Sequence, residues 1–205
     1  MTRFSPEEIE AFWRQQNPRR RALRDELARR RLPFAVAVEN LSKQWNIGNL
    51  LRTANAFLCG EIILVGNDTF DDKGCPGIYR FEHMRHIPDA AGFEKHASEA
   101  GYTTIAVEID RDAELLPRFK FPERPLFLFG GELEGLSPEM MDLAAHRVMI
   151  PQYGLIPCLN VNISCSIVLY EYVSRTFPDL EPVSVDGAKF QLDPGSGQRS
   201  EPLSD

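Results

Sequence analysis

Residues 150–172, IPQYGLIPCLNVNISCSIVLYEY, decide how the chain is read. The run begins as the end of a strand, Arg147-Val148-Met149-Ile150, and passes through a loop marked by Pro151, Gly154 and Pro157. A mostly apolar segment follows, with Leu159, Ile163 and Ile167 at four-residue spacing and Val161, Val168 and Tyr172 beside them. That spacing predicts a buried helix. Cys158, Asn160 and Asn162 in its first turn are out of place in a purely packed helix, because a buried amide without a partner is destabilising. A helix start behind a Gly/Pro loop offers free backbone N–H groups, so a ligand site and a merely solvated turn both fit at this point.

Upstream, strand and helix patterns alternate. Phe34-Ala35-Val36-Ala37-Val38 reads as a strand, residues 46–58 as a helix burying Leu50, Leu51, Ala54 and Phe57, and residues 61–66 as the next strand. Residues 67–88 read as a long polar connection with at most one short element. A helix over 90–100, strands over 103–109 and 125–129, and a helix capped by Ser137-Pro138 and running to Ala145 complete the pattern. The expected fold is α/β, a mostly parallel sheet with helices on both faces.

The ends of the chain differ from this body. Ser5-Pro6-Glu7-Glu8 reads as a helix start with Ile9, Phe12 and Trp13 on one face; Pro18 is expected to end it, and residues 19–31 to resume as a second helix. Residues 1–31 hold nine Arg against five acids, a local charge of +4 in a chain of net charge −7. From Thr176 onward six acids face Lys189 and Arg199, in a Pro/Gly/Ser-rich stretch without apolar periodicity. The expected divisions are a basic helical extension (1–33), one α/β domain (34–178) and an acidic, Pro/Gly/Ser-rich tail (179–205). A basic arm can hold a polyanion locally despite the total charge, and a solvated helix with i,i+4 ion pairs is the plainer alternative.

Other classes fall away. No run approaches ~18 apolar residues, so no membrane span is expected, and the N-terminal MTRFSPEEIEAFWRQQ carries acids where a secretory signal has its apolar core, which makes a cytosolic protein the expectation. Cys59, Cys75, Cys158 and Cys165 have no C-x-x-C spacing, and His83 and His86 have no third ligand, so neither zinc nor disulfides are expected. Neither a G-x-G-x-x-G after the first strand nor a P-loop is present. Three loops instead follow three strands and can meet at one sheet edge, supplying Asn46, Arg52, Glu132, Cys158, Asn160 and Asn162, with glycines that permit close backbone approach.

NIGNLLRTANAF (46–57), LFLFGGELEGLS (126–137) and IPQYGLIPCLNVNISCSIVLYE (150–171) resemble, in order and spacing, the three motifs of the SpoU/TrmH family of RNA ribose 2′-O-methyltransferases, in the SPOUT superfamily. The resemblance spans about residues 34–175. It implies a C-terminal trefoil knot, a homodimer with the site near the subunit interface, and S-adenosyl-L-methionine as cofactor. It also implies catalytic roles for Asn46, Arg52, Glu132 and Asn160, and cofactor contacts at Phe129, Gly130, Gly131, Ile150, Gly154, Cys158 and Leu159. Three motif-three positions depart from the family: Cys158 stands where Ser is usual, Gln152 where Met is usual, and Asn162 where Ser is frequent.

The residue types suit the implied chemistry, since a guanidinium stays protonated and serves better to hold a phosphate and stabilise a developing alkoxide than to act as a base. Arg19, Arg20, Arg21, Arg29, Arg30 and Arg31 are the expected contacts to the RNA backbone. The expected substrate is structured RNA, tRNA ahead of rRNA, because no separate RNA-binding domain accompanies the short basic extension. Two other readings stay open: a noncatalytic RNA-binding relative that keeps the fold, and a SPOUT enzyme that methylates a base nitrogen.

Overall fold

The computed structural model describes residues 2–3, 11, 14–15, 18–39, 44–67, 69–70, 74–75, 77–131, 134–156 and 158–181. Its strands are β1 (Thr2–Arg3), β2 (Ala35–Glu39), β3 (Glu61–Val65), β4 (Thr69–Phe70), β5 (Met84–Ile87), β6 (Thr103–Val107), β7 (Glu114–Leu115), β8 (Pro125–Phe129) and β9 (His146–Met149). Its helices are α1 (Pro18–Arg30), α2 (Gln44–Ala56), α3 (Ala90–Glu99), α4 (Pro138–Asp142) and α5 (Val161–Thr176). Seven strands form one sheet in the order β5-β3-β2-β8-β6-β9-β7, every pair parallel, and β1 and β4 make a separate antiparallel ribbon.

The central strands are apolar on both faces, as a sheet covered on both sides requires. Val36, Val38, Ile62, Leu64, Phe127 and Phe129 face α2 and α5, where Leu50, Leu51, Ala54, Val168, Leu169 and Tyr172 are buried. Ala35, Ala37, Ile63, Leu126 and Leu128 face α3 and α4 through Phe93, Ala97 and Met140. Tyr172 is the hub of the first face: its ring meets Phe34, Phe121 and Phe127 edge-on at centroid distances of 5.2, 5.1 and 5.5 Å. The expected parallel sheet with helices on both faces is therefore observed.

Several elements differ from the sequence reading. Residues 67–88 contain the ribbon strand β4, a 3-10 turn (Ile78–Phe81) and the edge strand β5. β5 reads as a loop because it is polar, as edge strands commonly are; Arg85 Nε donates to Glu61 Oε1 at 2.7 Å and His86 Nε2 lies 2.8 Å from the Gly66 carbonyl. The second helix expected over 19–31 is observed as α1, which Pro18 opens, consistent with proline's fit to a first turn. The helix after Ser137 stops at Asp142 because Thr104 Oγ1 donates to the Leu143 carbonyl and accepts the Ala145 N–H, closing the chain onto β6. In α5 the buried residues are Val161, Cys165, Val168, Leu169, Tyr172 and Val173, whereas Ile163 and Ile167 are exposed with Tyr170. The helix expected after Ser5, with Ile9, Phe12 and Trp13, and the tail from 182 lie outside the described residues.

The loop after β8 is the tightest passage in the fold. Gly131 and Gly135 exchange backbone hydrogen bonds of 3.1 and 2.9 Å, and Gly135 is left-handed at φ +68°. A Cβ on Gly130 would stand 2.0 Å from the Gly135 carbonyl carbon and 2.1 Å from the Leu136 nitrogen, both backbone atoms. Gly130→Ala is therefore expected to lower stability by about 2 kcal/mol or more, whereas Gly154→Ala, with nothing within 4 Å of its Cβ, is expected to be near neutral. Urea unfolding of both variants is the check; equal midpoints would refute the close passage.

Candidate active site

Parallel strands bring the C-terminal ends of β2, β6, β8 and β9 to one sheet edge, where α/β folds place their ligands. Two acids at strand ends pin the glycine loop there. Glu39 is the last residue of β2, and its Oε2 accepts the Ser137 N–H at 2.8 Å; Glu108 directly follows β6, and its Oε1 accepts the Leu136 N–H at 2.9 Å. Ser137 in turn caps α4, accepting from the Met140 N–H at 3.2 Å. The chain thus enters the next helix with the Leu136 and Ser137 N–H groups satisfied.

A cleft of about 190 Å³ opens beside this loop, walled by Val107, Ile109, Phe129, Ile150, Leu159 and Val161. Gly130, Gly131 and Gly135 form its floor, and Glu108, Gln152, Cys158 and Ser164 are its polar groups. Of the expected cofactor contacts, Phe129, Gly130, Gly131, Ile150, Cys158 and Leu159 line it. Gly154 does not; it is exposed, beside Tyr153, Leu155 and Ile156 at 95, 99 and 78 % exposure. Apolar walls suit a planar heterocycle, glycines let it reach the backbone, and the one charged group among the described lining residues is an acid, so a cationic sulfonium compound fits better than a phosphorylated nucleotide.

A polar seam joins α2 to α5, next in sequence to the cleft residues Leu159, Val161 and Ser164. Asn160 Oδ1 caps α5 by accepting the Asn162 N–H at 2.9 Å, while its Nδ2 donates to Asn46 Oδ1 at 3.1 Å. Thr53 Oγ1 donates to Asn162 Oδ1 at 2.9 Å and lies 3.0 Å from Ser166 Oγ. The polar first turn of α5 is thus accounted for by partners on α2. Arg52, the neighbour of Thr53, is exposed, and among the described residues its one hydrogen-bond contact is a long 3.5 Å approach of its Nη1 to the Gly74 carbonyl. Glu132 lies outside the described residues.

Among the expected RNA contacts, Arg21, Arg29 and Arg30 are exposed on α1, and Arg19 and Arg20 belong to the same helix. Arg31 departs from that expectation. Its side chain is 6 % exposed and bonds Glu82 at 2.8 Å, the Phe81 carbonyl at 2.6 Å and the Cys59 carbonyl, which leaves it a structural group. No disulfide joins the four cysteines, and burial pushes the Cys59 and Cys165 thiols up, so these two are inert packing groups. No metal-binding cluster is found among the described residues. Glu39, Glu108, Thr53 and Ser164 were missed in the sequence; for the two acids the available signal was a carboxylate at the C-terminal end of an apolar strand, in AVAVE and IAVE.

Known proteins are similar to this chain in sequence and fold. A tRNA (guanosine(18)-2′-O)-methyltransferase of Thermus thermophilus is 30 % identical over 157 residues, covering 75 % of this chain and 80 % of that protein. The Escherichia coli protein of the same name is 26 % identical over 162 residues, 76 % and 69 % of the two chains. Among solved structures, the Aquifex aeolicus TrmH/SpoU tRNA modifying enzyme superposes with a TM-score of 0.67 at 22 % identity, over 75 % of this chain and 80 % of that one. An AdoMet-bound rRNA methyltransferase from Sinorhizobium meliloti superposes at 0.65 with 25 % identity, over 76 % and 60 %. The model of the SpoU rRNA Methylase family matches residues 33–170, and with it the sheet, the glycine loop and the α2–α5 seam, so this chain belongs to the SpoU rRNA Methylase family.

Proposed function

We propose that this chain transfers a methyl group from S-adenosyl-L-methionine to a ribose 2′-hydroxyl of tRNA. The observation that carries the reading is the Asn46–Asn160 contact, which sets the helix bearing Arg52 against the helix that walls the cleft. The names of the tRNA-directed relatives favour tRNA over rRNA. The cofactor supplies an electrophilic methyl on a positively charged sulfur. Phe129, Ile150 and Leu159 exclude water from it, and Gly130 and Gly131 give it access to backbone. Arg52, permanently cationic and held by no close protein partner among the described residues, is free to grip the phosphate next to the target ribose. Its charge stabilises the negative charge that builds on the 2′-oxygen as the O–CH₃ bond forms and the S–CH₃ bond breaks, with the hydroxyl proton passing to that phosphate or to water.

The family threading of the C-terminal third into a trefoil knot belongs to the same proposal. The tight Gly130–Gly135 passage and the insertion of β9 between β6 and β7 support it. An experimental backbone trace of residues 125–176 that closes no knot would overturn it. A homodimer is supported by exposed apolar side chains on adjoining elements: Tyr153, Leu155 and Ile156 on the loop, Ile163, Ile167 and Tyr170 on α5. A cytosolic location belongs to the same proposal, supported by the absence of a disulfide among the cysteines and by a tRNA substrate.

Four measurements test these statements. Arg52→Ala should lower methylation of total tRNA by about 100-fold or more while leaving S-adenosylhomocysteine binding within about threefold; unchanged turnover removes Arg52 from the mechanism. Mass mapping of the methylated nucleoside separates ribose from base methylation in the same reaction. Reversing Arg21 and Arg30 to Glu should weaken tRNA binding and flatten the plot of log affinity against log salt by roughly 0.7–0.9 per lost phosphate contact. An unchanged slope would reduce α1 to a surface helix. Ile163→Glu with Tyr170→Glu should sediment as a monomer where the wild type sediments as a dimer; identical sedimentation of the two would refute this interface.

A further inference from the structure

Glu108 does more in this fold than anchor a loop. It sits at the C-terminal end of β6 and is the one charged side chain among the described residues lining the cleft. Its Oε1 is taken by the Leu136 N–H at 2.9 Å and packs against Gly135 so closely that a Cβ there would come within 2.9 Å of it. No protein donor reaches its Oε2 among the described residues, although a carboxylate offers about four acceptor positions. Its neighbours in the cleft wall, Val107 and Ile109, are apolar. A half-buried carboxylate with spare acceptor capacity and apolar flanks is stabilised by whatever donor a ligand brings to it.

We propose that Glu108 is a cofactor-specificity residue whose Oε2 accepts a hydrogen bond from a ribose hydroxyl of the bound adenosyl compound. The assignment rests on the methyltransferase reading above. Three features single out the ribose. An acid at the end of a parallel strand is how other α/β sheets hold a ribose hydroxyl. The apolar walls and glycine backbone suit the base, which leaves the sugar as the part of the nucleoside that needs an acceptor. The carboxylate also repels a 5′-phosphate, so adenosyl thioethers and sulfonium compounds are admitted while nucleotides carrying phosphate at that carbon are rejected. Glu39, the matching acid on β2, gives its Oε2 to the Ser137 N–H and does not line the cleft, so the two acids that pin the loop are not equivalent.

The test is calorimetric titration of the full-length protein with S-adenosylhomocysteine, its 2′-deoxy and 3′-deoxy analogues, and an analogue lacking the α-amino group. The wild type should lose about tenfold or more in affinity when the contacted hydroxyl is removed, the size of a hydrogen bond to a charged group. In Glu108→Ala the parent should bind weakly, and the same deoxy analogue should bind within about twofold of it. Damage to the loop lowers both affinities together and leaves their ratio unchanged, so the ratio reports the contact alone. Glu108→Gln keeps an oxygen for the Leu136 N–H and is the folded control; its discrimination should fall between the other two. Discrimination against both deoxy analogues that persists in Glu108→Ala overturns the assignment, as does a penalty that vanishes only for the deamino analogue. Failure of the wild type to bind the parent, with tRNA present as well as absent, overturns the methyltransferase reading and the assignment together.

Discussion

The structure depends on a backbone crossing with no room for a side chain. Gly130 leaves β8 and passes Gly135 at a distance that excludes even a methyl group, and the two glycines of the adjoining bridge lock the loop by paired backbone hydrogen bonds. Such a loop would carry unsatisfied N–H groups at Leu136 and Ser137 if nothing met them, and the sheet supplies the partners from its own strand ends, Glu108 and Glu39. The register of β2, β6 and β8 therefore fixes the loop, and the loop fixes one side of the cleft. Glycine here serves a close approach, which is why a residue with any Cβ would move the floor of the site as well as destabilise the fold.

The other side of the cleft comes from α5, whose first turn is held by side chains on α2. Asn160 caps its own helix with one atom of its amide and reaches Asn46 with the other, so helix initiation and interhelical position are set by one residue. Asn46 is almost fully buried, and a buried amide of this kind fixes a single arrangement because any shift leaves a polar atom unpaired. Arg52 benefits from that rigidity without sharing in it. It lies between the residues that make the seam and projects into solvent, the placement wanted of a group that must meet a large substrate from outside.

Charge is divided in the same manner. The chain is acidic overall, yet its arginines concentrate at the N-terminus, and the root of that arm is tied into the core by Arg31. The Arg31–Glu82 pair is joined by Asn55 Nδ2, which donates to Glu82 Oε1 at 2.6 Å, so α1, the turn at Ile78–Phe81 and α2 converge on one carboxylate. Buried ion pairs contribute little net stability because desolvation offsets attraction, but removing one partner leaves a buried charge that costs about 3–5 kcal/mol. The pair therefore acts as a geometric constraint on where the exposed arginines of α1 stand. Arg29, by contrast, meets Glu26 at the surface, a pair worth about 0–1 kcal/mol that a phosphate can displace.

How much of this was legible in the sequence follows from how local each signal is. Strands buried on both faces announce themselves as continuous apolar runs, and β2, β3, β6 and β8 were all visible for that reason. β5 was hidden because an edge strand bonds on one side only and carries Arg85 and His86. Residue type could not distinguish Arg31 from the arginines beside it, since its role is set by Glu82, 51 positions away. Helix α5 is the sharpest case. Its apolar residues run nearly all round, so the spacing of Leu159, Ile163 and Ile167 is as good a helical stripe as the one that is buried. The choice between stripes is made by Tyr172, whose ring needs the aromatic pocket of Phe34, Phe121 and Phe127. Once that side chain is seated, Val161, Cys165, Val168 and Leu169 follow it inward by helical geometry. Ile163 and Ile167 are then turned outward with Tyr170, leaving an apolar surface that the described residues of the chain do not cover.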